Sequence, residues 1–165
     1  MQIKVCPHCN EEMIFVRGPL DSPVLLLGEF PGEEELNQMM PFCGAAGMVL
    51  KNEFGRCGLD IKQMRITNLW RHKPNKNEDC LTYGHTLAVK AAQYKQAILL
   101  IGSESTKHFT GLSVMSVSGL VVKSDFFPDT ELVMASVNPA VVFHGGVGEV
   151  RFAISRFAER IDGLL

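Results

Sequence analysis

The feature that most constrains this chain is a short apolar run leading directly into a segment rich in glycine and acid. Residues 24–27 are all apolar and are bounded by a proline and a glycine, a pattern typical of an interior strand of a parallel sheet. The segment that follows contains Glu29, Pro31, Gly32 and three consecutive glutamates. Because ligands of open α/β sheets bind beyond the carboxyl ends of the strands, this segment is a candidate site, with a solvated turn as the alternative.

Length and composition indicate one soluble domain spanning residues 1–165. Hydrophobic residues make up 46% and charged residues 21%, which are ordinary globular values, and apolar runs of only strand length predict no membrane span. The first nine residues contain no apolar signal-peptide core, so we expect a cytoplasmic protein. Its five cysteines are then expected to stay reduced and to serve as metal ligands or core residues.

Apolar runs alternate with amphipathic segments along the whole chain. Four runs predict strands, at residues 24–27, 64–70, 97–101 and 132–137. Helical periodicity and glycine stops predict the main helices, at residues 45–54, 82–94 and 147–161. This alternation predicts a three-layer α/β/α domain with a central, mainly parallel four-stranded sheet.

Cys6 and Cys9 form a C-x-x-C motif within a predicted tight turn. Two thiolates at this spacing reach one metal ion or cluster. The motif also forms redox pairs, but those normally open a helix after a strand, and neither feature is predicted here. A metal site at this motif requires two further soft ligands elsewhere in the chain.

Positive charge is concentrated in residues 51–95, where nine Lys or Arg outnumber four Asp or Glu, a net of +5. Such a segment beside an acidic loop suits a protein that holds the backbone of a polyanion. A set of solvated helix faces is the alternative interpretation.

Three predicted strand exits are similar to the motifs of one known family. They read GEFPGEEE followed by PFCGAAG (residues 28–47), ITNLWRHKPN (residues 66–75) and SVNPA (residues 136–140). These motifs resemble those of the family 4 uracil-DNA glycosylases, which read G-E-x-P-G-E-E-E, P-F-V-G-x-A-G, I-T-N, K-C-R-P-P and H-P-S or H-P-A. The resemblance extends from Cys6 to about Ala140. It implies a uracil-DNA glycosylase-like fold and hydrolysis of the N-glycosidic bond of uracil in DNA.

The resemblance implies that two side chains recognise the base. A glycosylase extrudes its base from the stack, holds it and stabilises charge as the bond breaks. Phe42 would stack on the extruded base, although an aromatic residue here also suits a core. The Asn68 amide would donate a hydrogen bond to one carbonyl of the base and accept one from the ring N3–H. This pattern fits uracil better than cytosine. Without the resemblance, Asn68 would be expected to cap the next turn.

The acidic motif is implied to act on the sugar. Glu29 and Glu34 match motif glutamates, and either would orient the attacking water or stabilise the cationic sugar. Backbone N–H groups around Pro31 and Gly32 would face the base carbonyl or a phosphate, because glycine allows close approach.

Asn138 departs from the family pattern, which has histidine where this chain has asparagine. The histidine is expected to stabilise negative charge on the departing uracil, and losing one such donor typically costs about 2.7–4 kcal/mol. An asparagine N–H still donates, as in the similar N-P-S motif of the mismatch-specific branch. We therefore expect a slow or altered glycosylase, or alternatively a non-hydrolytic protein that binds DNA or a uracil-like base. Phe30 replaces a usually small residue and is expected to crowd the pocket.

The resemblance also implies a set of metal ligands. Family 4 holds a [4Fe-4S] cluster with four cysteines. Cys6 and Cys9 match the first pair, His72 stands in place of the third cysteine, and Cys80 matches the fourth after a shortened loop. The expected cofactor is a [4Fe-4S] cluster, with structural zinc as the alternative because Cys3His is also an ordinary zinc set.

The remaining reactive residue types are expected to be less informative. Cys43 and Cys57 are expected to pack in or near the first helix. His144 is expected to cap a helix or to lie on the surface. The alternatives are that it contacts a phosphate or replaces the missing imidazole. Residues 141–143 would form a wedge where the base leaves the DNA stack, or would fold under the terminal helix. The protein is expected to be a monomer that binds uracil-containing DNA and does not associate with a membrane.

Overall fold

The computed structural model of the chain describes residues 4–165, so residues 1–3 of the expected leaderless N-terminus lie outside the described residues. The described strands are β1 (Lys4–Val5), β2 (Glu12–Met13), β3 (Val24–Gly28), β4 (Arg65–Asn68), β5 (Ala97–Ile101) and β6 (Leu132–Ser136). The last four form one sheet in the order β4-β3-β5-β6, and every pairing in it is parallel. The predicted parallel sheet is confirmed.

Helices cover both faces of this sheet. The described α-helices are α1 (Glu33–Gln38), α2 (Ala45–Arg56), α3 (Glu78–Ala92), α4 (Ser103–Thr110), α5 (Val114–Val117) and α6 (Val147–Arg160). Leu26 packs with residues of α2 and α6, whereas its neighbours Leu25 and Leu27 pack with residues of α3 and α4. Since both faces are covered, the two central strands β3 and β5 are apolar throughout, and the predicted α/β/α layering is confirmed.

Two polar segments fold differently from expectation. The acidic segment after β3 is not a loop but the helix α1, since its three glutamates occupy the first turn, where the helix dipole favours negative charge. The helix predicted over residues 82–94 begins one turn earlier, at Glu78. Asn77 caps it by accepting a hydrogen bond from the Asp79 N–H at 2.9 Å.

The N-terminal β1–β2 pair was not predicted, because each strand has only two residues. In α6, the predicted apolar residue Phe152 is 49% exposed, whereas Val150 and Phe157 are fully buried. Among residues 4–165, the helices are all too short or too polar to cross a membrane.

Candidate functional site

A cavity of about 170 Å³ lies beyond the carboxyl ends of β3, β4 and β6. It is close in size to the roughly 150 Å³ cavity that holds a benzene ring, and well below the roughly 300 Å³ lower limit for drug-sized ligands. It therefore suits a single ring. Its lining comprises Glu29, Phe30, Gly32, Glu35, Phe42, Ala46, Gly47, Asn68, Asn138 and Ala140.

A larger cavity of about 600 Å³ lies at the opposite edge, before β5 and β6 begin. Lys95 lines it, but the Lys95 ammonium donates to the backbone carbonyls of Leu20 and Ser22. Because parallel sheets bind their ligands at the carboxyl edge, the smaller cavity is the candidate site.

Asn68 and Phe42 meet at the bottom of the smaller cavity. A Cβ atom on Gly28 would lie 2.4 Å from Asn68 Oδ1 and 2.6 Å from Phe42 Cζ, so only glycine lets the amide and the ring approach each other here. Asn68 is 3% exposed and lines the cavity. Its amide has no hydrogen-bond partner among the described residues and is open to the cavity, whereas the buried hydroxyls sealed in without a partner are those of Thr67 and Thr106. A donor and an acceptor left open in a cavity of this size indicate a ligand-binding role.

The loop that presents Phe42 is anchored from both sides by residues that sequence reasoning did not select. Phe42 has φ +52°, an unusual conformation for an aromatic residue. Arg17 Nη1 donates to the carbonyl oxygens of Pro41 at 3.0 Å and Phe42 at 3.3 Å. On the other side, Glu35 Oε2 accepts from the Gly44 N–H at 2.6 Å. The ring is therefore held rigidly toward the cavity.

Glu35, and not Glu34, is the glutamate of the triplet that lines the cavity. Its second oxygen accepts from the Gly32 N–H at 3.1 Å, which fixes the start of α1. Glu34 is exposed and accepts a hydrogen bond from Gln38. A glutamate three residues after a helix N-cap is the second half of a capping box, and this signal would have identified Glu35.

Glu29 is bound by two distant parts of the chain. Its Oε1 accepts from Asn138 Nδ2 at 2.9 Å, and its Oε2 accepts from the Glu104 backbone N–H at 2.9 Å, at the N-terminus of α4. Gly102, with φ +99°, makes room, since a Cβ there would lie 2.1 Å from the Glu29 carboxylate. These two donors fix the position of the Glu29 carboxylate at the cavity. Burial, and then the charge of Glu29, raise the pKa of Glu104.

Asn138 has two local partners in addition to the cavity that it lines. Besides donating to Glu29, it caps a 3-10 helix (Pro139–His144) by accepting from the Ala140 N–H at 2.9 Å. One of its two amide hydrogens is thus engaged, and the other remains for a ligand.

Three neighbouring residues lie around this centre. Gly32 lines the cavity, Pro31 is buried and is not part of the lining, and Phe30 is 47% exposed. Phe30 therefore lines the cavity at its rim, where it narrows the entrance without filling the space.

A second cluster brings together all four predicted metal ligands, Cys6, Cys9, His72 and Cys80. Their donor atoms all lie within 4.8 Å of one another. Cys6 Sγ lies 3.8 Å from Cys80 Sγ, and Cys9 Sγ lies 3.5 Å from His72 Nε2. Three of the four residues are buried, and Cys9 is half-buried. Three thiols and an imidazole converging in this way are able to hold a metal.

Neighbouring groups orient these donors. His72 Nδ1 lies 2.8 Å from the Lys73 carbonyl, so it carries the proton and leaves Nε2 free to ligate. Asn75 Nδ2 donates to Cys80 Sγ at 3.6 Å. Burial opposes ionisation of Cys6, but hydrogen bonds from the backbone of His8 and Cys9 help to lower its pKa to about 7. Burial raises the pKa of Cys80 to about 11, so Cys6 ionises more readily.

The basic segment is not a continuous surface for a polyanion. The Arg71 guanidinium donates twice to the Ile14 carbonyl, and Arg65 donates to the Gly18 carbonyl. Together with Lys95, these cations bind backbone carbonyls of residues 14–22. Exposed positive side chains remain in this segment at Lys51, Arg56, Lys62, Lys73, Lys76 and Lys90.

The other residues considered above lie outside the cavity lining. Burial and the adjacent Glu35 raise the pKa of Cys43 to about 11, which disfavours a reactive thiolate. The expectation that Cys57 packs internally is wrong, because Cys57 is exposed where α2 ends. His144 is exposed. Phe143 is 58% exposed, while the two valines before it pack against the core.

Comparison with known proteins finds one family across most of the chain. A profile of the uracil DNA glycosylase superfamily matches residues 15–148. The protein named Type-4 uracil-DNA glycosylase of Thermotoga maritima is 29% identical over 168 residues, covering 97% of this chain and 88% of that protein. One of the same name from Pyrobaculum aerophilum is 31% identical over 94 residues, covering 49% and 48% respectively. The profile match contains every residue that lines the smaller cavity.

Proposed function

Since this chain belongs to the uracil-DNA glycosylase superfamily, we propose that it hydrolyses the N-glycosidic bond of uracil in DNA and leaves an abasic site. The observation that carries this proposal is the Asn68 amide, which faces a cavity sized for one ring and lies beside Gly28 together with the Phe42 ring. An amide both donates and accepts, as a uracil edge with a carbonyl and a ring N–H requires.

Phe42 and Asn68 hold the extruded base by two different interactions, stacking and hydrogen bonding. The Phe42 ring supplies a stacking surface, and the fixed loop keeps that surface in place before the base arrives. Asn68 accepts from the uracil N3–H and donates to a ring carbonyl. The backbone around Pro31 and Gly32 closes the pocket from the side of α1.

Glu29 is the carboxylate we assign to the bond-breaking step. As the bond between C1′ and N1 breaks, its electron pair moves to the uracil ring and positive charge develops on the sugar, which the nearby carboxylate stabilises. Water then bonds to C1′ and loses its proton to Glu29 or solvent. Glu34, the other motif glutamate, is exposed and hydrogen-bonded to Gln38, which disfavours it as the second catalytic carboxylate.

Asn138 is proposed to act on the leaving group with its remaining amide hydrogen. Its other hydrogen is held by Glu29, so the donor is positioned but weaker than an imidazole. For that reason we propose a slow glycosylase.

The metal-binding cluster is proposed to have a structural role. Cys6, Cys9, His72 and Cys80 would hold a metal group that joins the N-terminal turn to the sheet and takes no part in bond cleavage. We propose a cytoplasmic monomer acting on uracil-containing DNA, because a reducing compartment keeps all five cysteines free.

Excision from labelled oligonucleotides tests this proposal. The full chain is incubated in excess with single-stranded and double-stranded DNA containing one uracil, and alkali then cleaves any abasic site. We expect strand scission that depends on uracil and is absent with thymine at the same position. Intact strands after long incubation would reject the glycosylase.

A second candidate is a protein of this fold that binds DNA or a uracil-like base without hydrolysis. It is favoured by the Asn138–Glu29 hydrogen bond, which occupies part of the donor that must serve the leaving group. Salt-dependent binding of uracil-containing DNA without release of free uracil would select this candidate over the enzyme.

A further inference from the structure

The spacing of the donor atoms in the four-ligand centre discriminates between metal groups. We infer that Cys6, Cys9, His72 and Cys80 bind one zinc ion rather than the [4Fe-4S] cluster that the family resemblance implies. Three distances bear on this choice: the 3.8 Å and 3.5 Å contacts between donor atoms and the 4.8 Å limit that encloses all four.

A single tetrahedral ion accounts for the short distances. Zinc binds cysteine sulfur at about 2.3 Å and histidine nitrogen at about 2.0–2.1 Å. Tetrahedral angles then place two sulfur atoms about 3.8 Å apart, and a sulfur and a nitrogen about 3.5 Å apart. The Cys6–Cys80 distance and the Cys9–His72 distance match these two edges.

A four-iron cluster requires a wider arrangement. Each ligand of such a cluster binds a different iron, so the ligand atoms are separated by the cluster itself and lie farther apart than the ligands of one ion. All four donor atoms in this chain lie within 4.8 Å of one another. The centre as folded therefore does not fit the cluster.

The residue types of the donors also favour zinc. Zinc commonly takes three cysteines and one histidine in structural sites. The Lys73 carbonyl holds the proton on His72 Nδ1, which leaves the neutral Nε2 lone pair directed at Cys9 and thus toward the centre.

The architecture around the centre explains what a single ion would do. Cys6 and Cys9 lie in the turn between β1 and β2, whose strands have two residues each and are too short to be stable alone. His72 follows β4, and Cys80 lies in the first turn of α3. One ion bound to all four joins the N-terminal hairpin to the domain, as structural zinc does elsewhere.

Metal and sulfide analysis of the full-length protein, purified without oxygen from cells supplied with both iron and zinc, tests the inference. We expect one zinc per chain, no acid-labile sulfide and no broad visible absorption. About four irons and four sulfides per chain would overturn it, and so would a protein without any metal. Neither result depends on glycosylase activity, so this test is separate from that of the proposed function.

Cobalt reconstitution tests the ligand set. Metal-free protein, prepared with a chelator and a reductant, is titrated with Co²⁺ and then with Zn²⁺. We expect saturation at one cobalt per chain, a tetrahedral spectrum with thiolate charge-transfer bands, and displacement by zinc. The variants Cys9→Ser and His72→Ala should weaken cobalt binding at least about tenfold, the usual minimum for loss of a metal-site group.

The matched control is Cys57→Ser, which changes an exposed cysteine outside the centre and should leave the cobalt titration unchanged. An octahedral spectrum, or equal affinity for the wild-type protein and both ligand variants, would overturn the assignment of these residues as zinc ligands.

Discussion

The cavity at the carboxyl edge of the sheet and the four-ligand centre receive residues from the same strand exit, yet they are built in opposite ways. Asn68 ends β4 and lines the cavity, and His72, four residues later, belongs to the centre. In the centre, side chains converge on one another and both nitrogens of His72 have partners. In the cavity, the Asn68 amide faces open space instead of another side chain of the described residues.

The two regions therefore differ in whether their polar groups stabilise the fold or are available to a ligand. Groups directed at one another, or at a shared ion, stabilise the fold. A polar group that faces an open cavity contributes little to the fold and is available to a ligand. We therefore expect changes in the four-ligand centre to act mainly on unfolding, and changes in the cavity to act mainly on excision.

The largest expected effect is that of removing the metal. A ligand at 1,000 times its dissociation constant stabilises a protein by about 4.1 kcal/mol. For a chain of this size that corresponds to about 8–16 °C in Tm. Cys9→Ser and chelator treatment should both lower Tm by this amount in calorimetry. An unchanged Tm after verified metal loss would contradict a stabilising role for the centre.

Asn68→Ala should have the next largest effect, and on the other property. Loss of an oriented donor in a dry site typically lowers kcat by about 10²–10³. Because the Asn68 amide has no described protein partner, Tm and metal content should stay close to wild type. Single-turnover excision of uracil measures the rate. A large drop in Tm with little loss of rate would reverse the roles given to the two regions.

Asn138→His tests the leaving-group donor with a smaller change. An imidazole that donates to the departing uracil should raise the excision rate at least about tenfold. The same change removes the N-cap of the 3-10 helix and should cost about 1 kcal/mol of unfolding free energy. Asn138→Ala is the control, since it removes the cap but adds no donor and should lower the rate.

The smallest effects should separate the two neighbouring glutamates. Glu35→Gln leaves one acceptor oxygen for the two N–H groups that Glu35 now binds, at a cost of about 1–2 kcal/mol in stability. The loosened Phe42 loop should raise KM. Glu34→Gln is the matched exposed change and should stay within about 0.5 kcal/mol of wild type. Equal effects of the two variants would remove the distinction between them.

Local patterns in the sequence were sufficient to predict the layers of the fold. Strand β5 lies where the apolar run predicts it, because a strand buried on both faces must be apolar at every position. Helix boundaries were less accurate. The first turn of α3 is polar, and its start depends on the Asn77 cap and not on apolar periodicity.

The metal ligands were identified by residue type, but their spacing was not. The C-x-x-C motif alone indicated Cys6 and Cys9, and the resemblance to the family motifs was needed to predict His72 and Cys80 as the other two ligands. Whether they surround one ion or a larger cluster depends on how closely the N-terminal turn packs against β4 and α3. That packing is set by contacts far apart in sequence, such as the Arg71 hydrogen bonds to the Ile14 carbonyl.

The sheet, its polar exits and the family could be predicted from the amino-acid sequence, because they follow from periodicity and from motifs of adjacent residues. The direction of each polar group became known only from the folded chain. The tertiary structure joined Glu29 to Asn138, 109 positions away, chose Glu35 over Glu34 for the cavity, and turned Arg71 inward. The physical reason is that a hydrogen bond depends on distances of a few tenths of an ångström, which the packing of whole elements sets and a residue pattern does not encode.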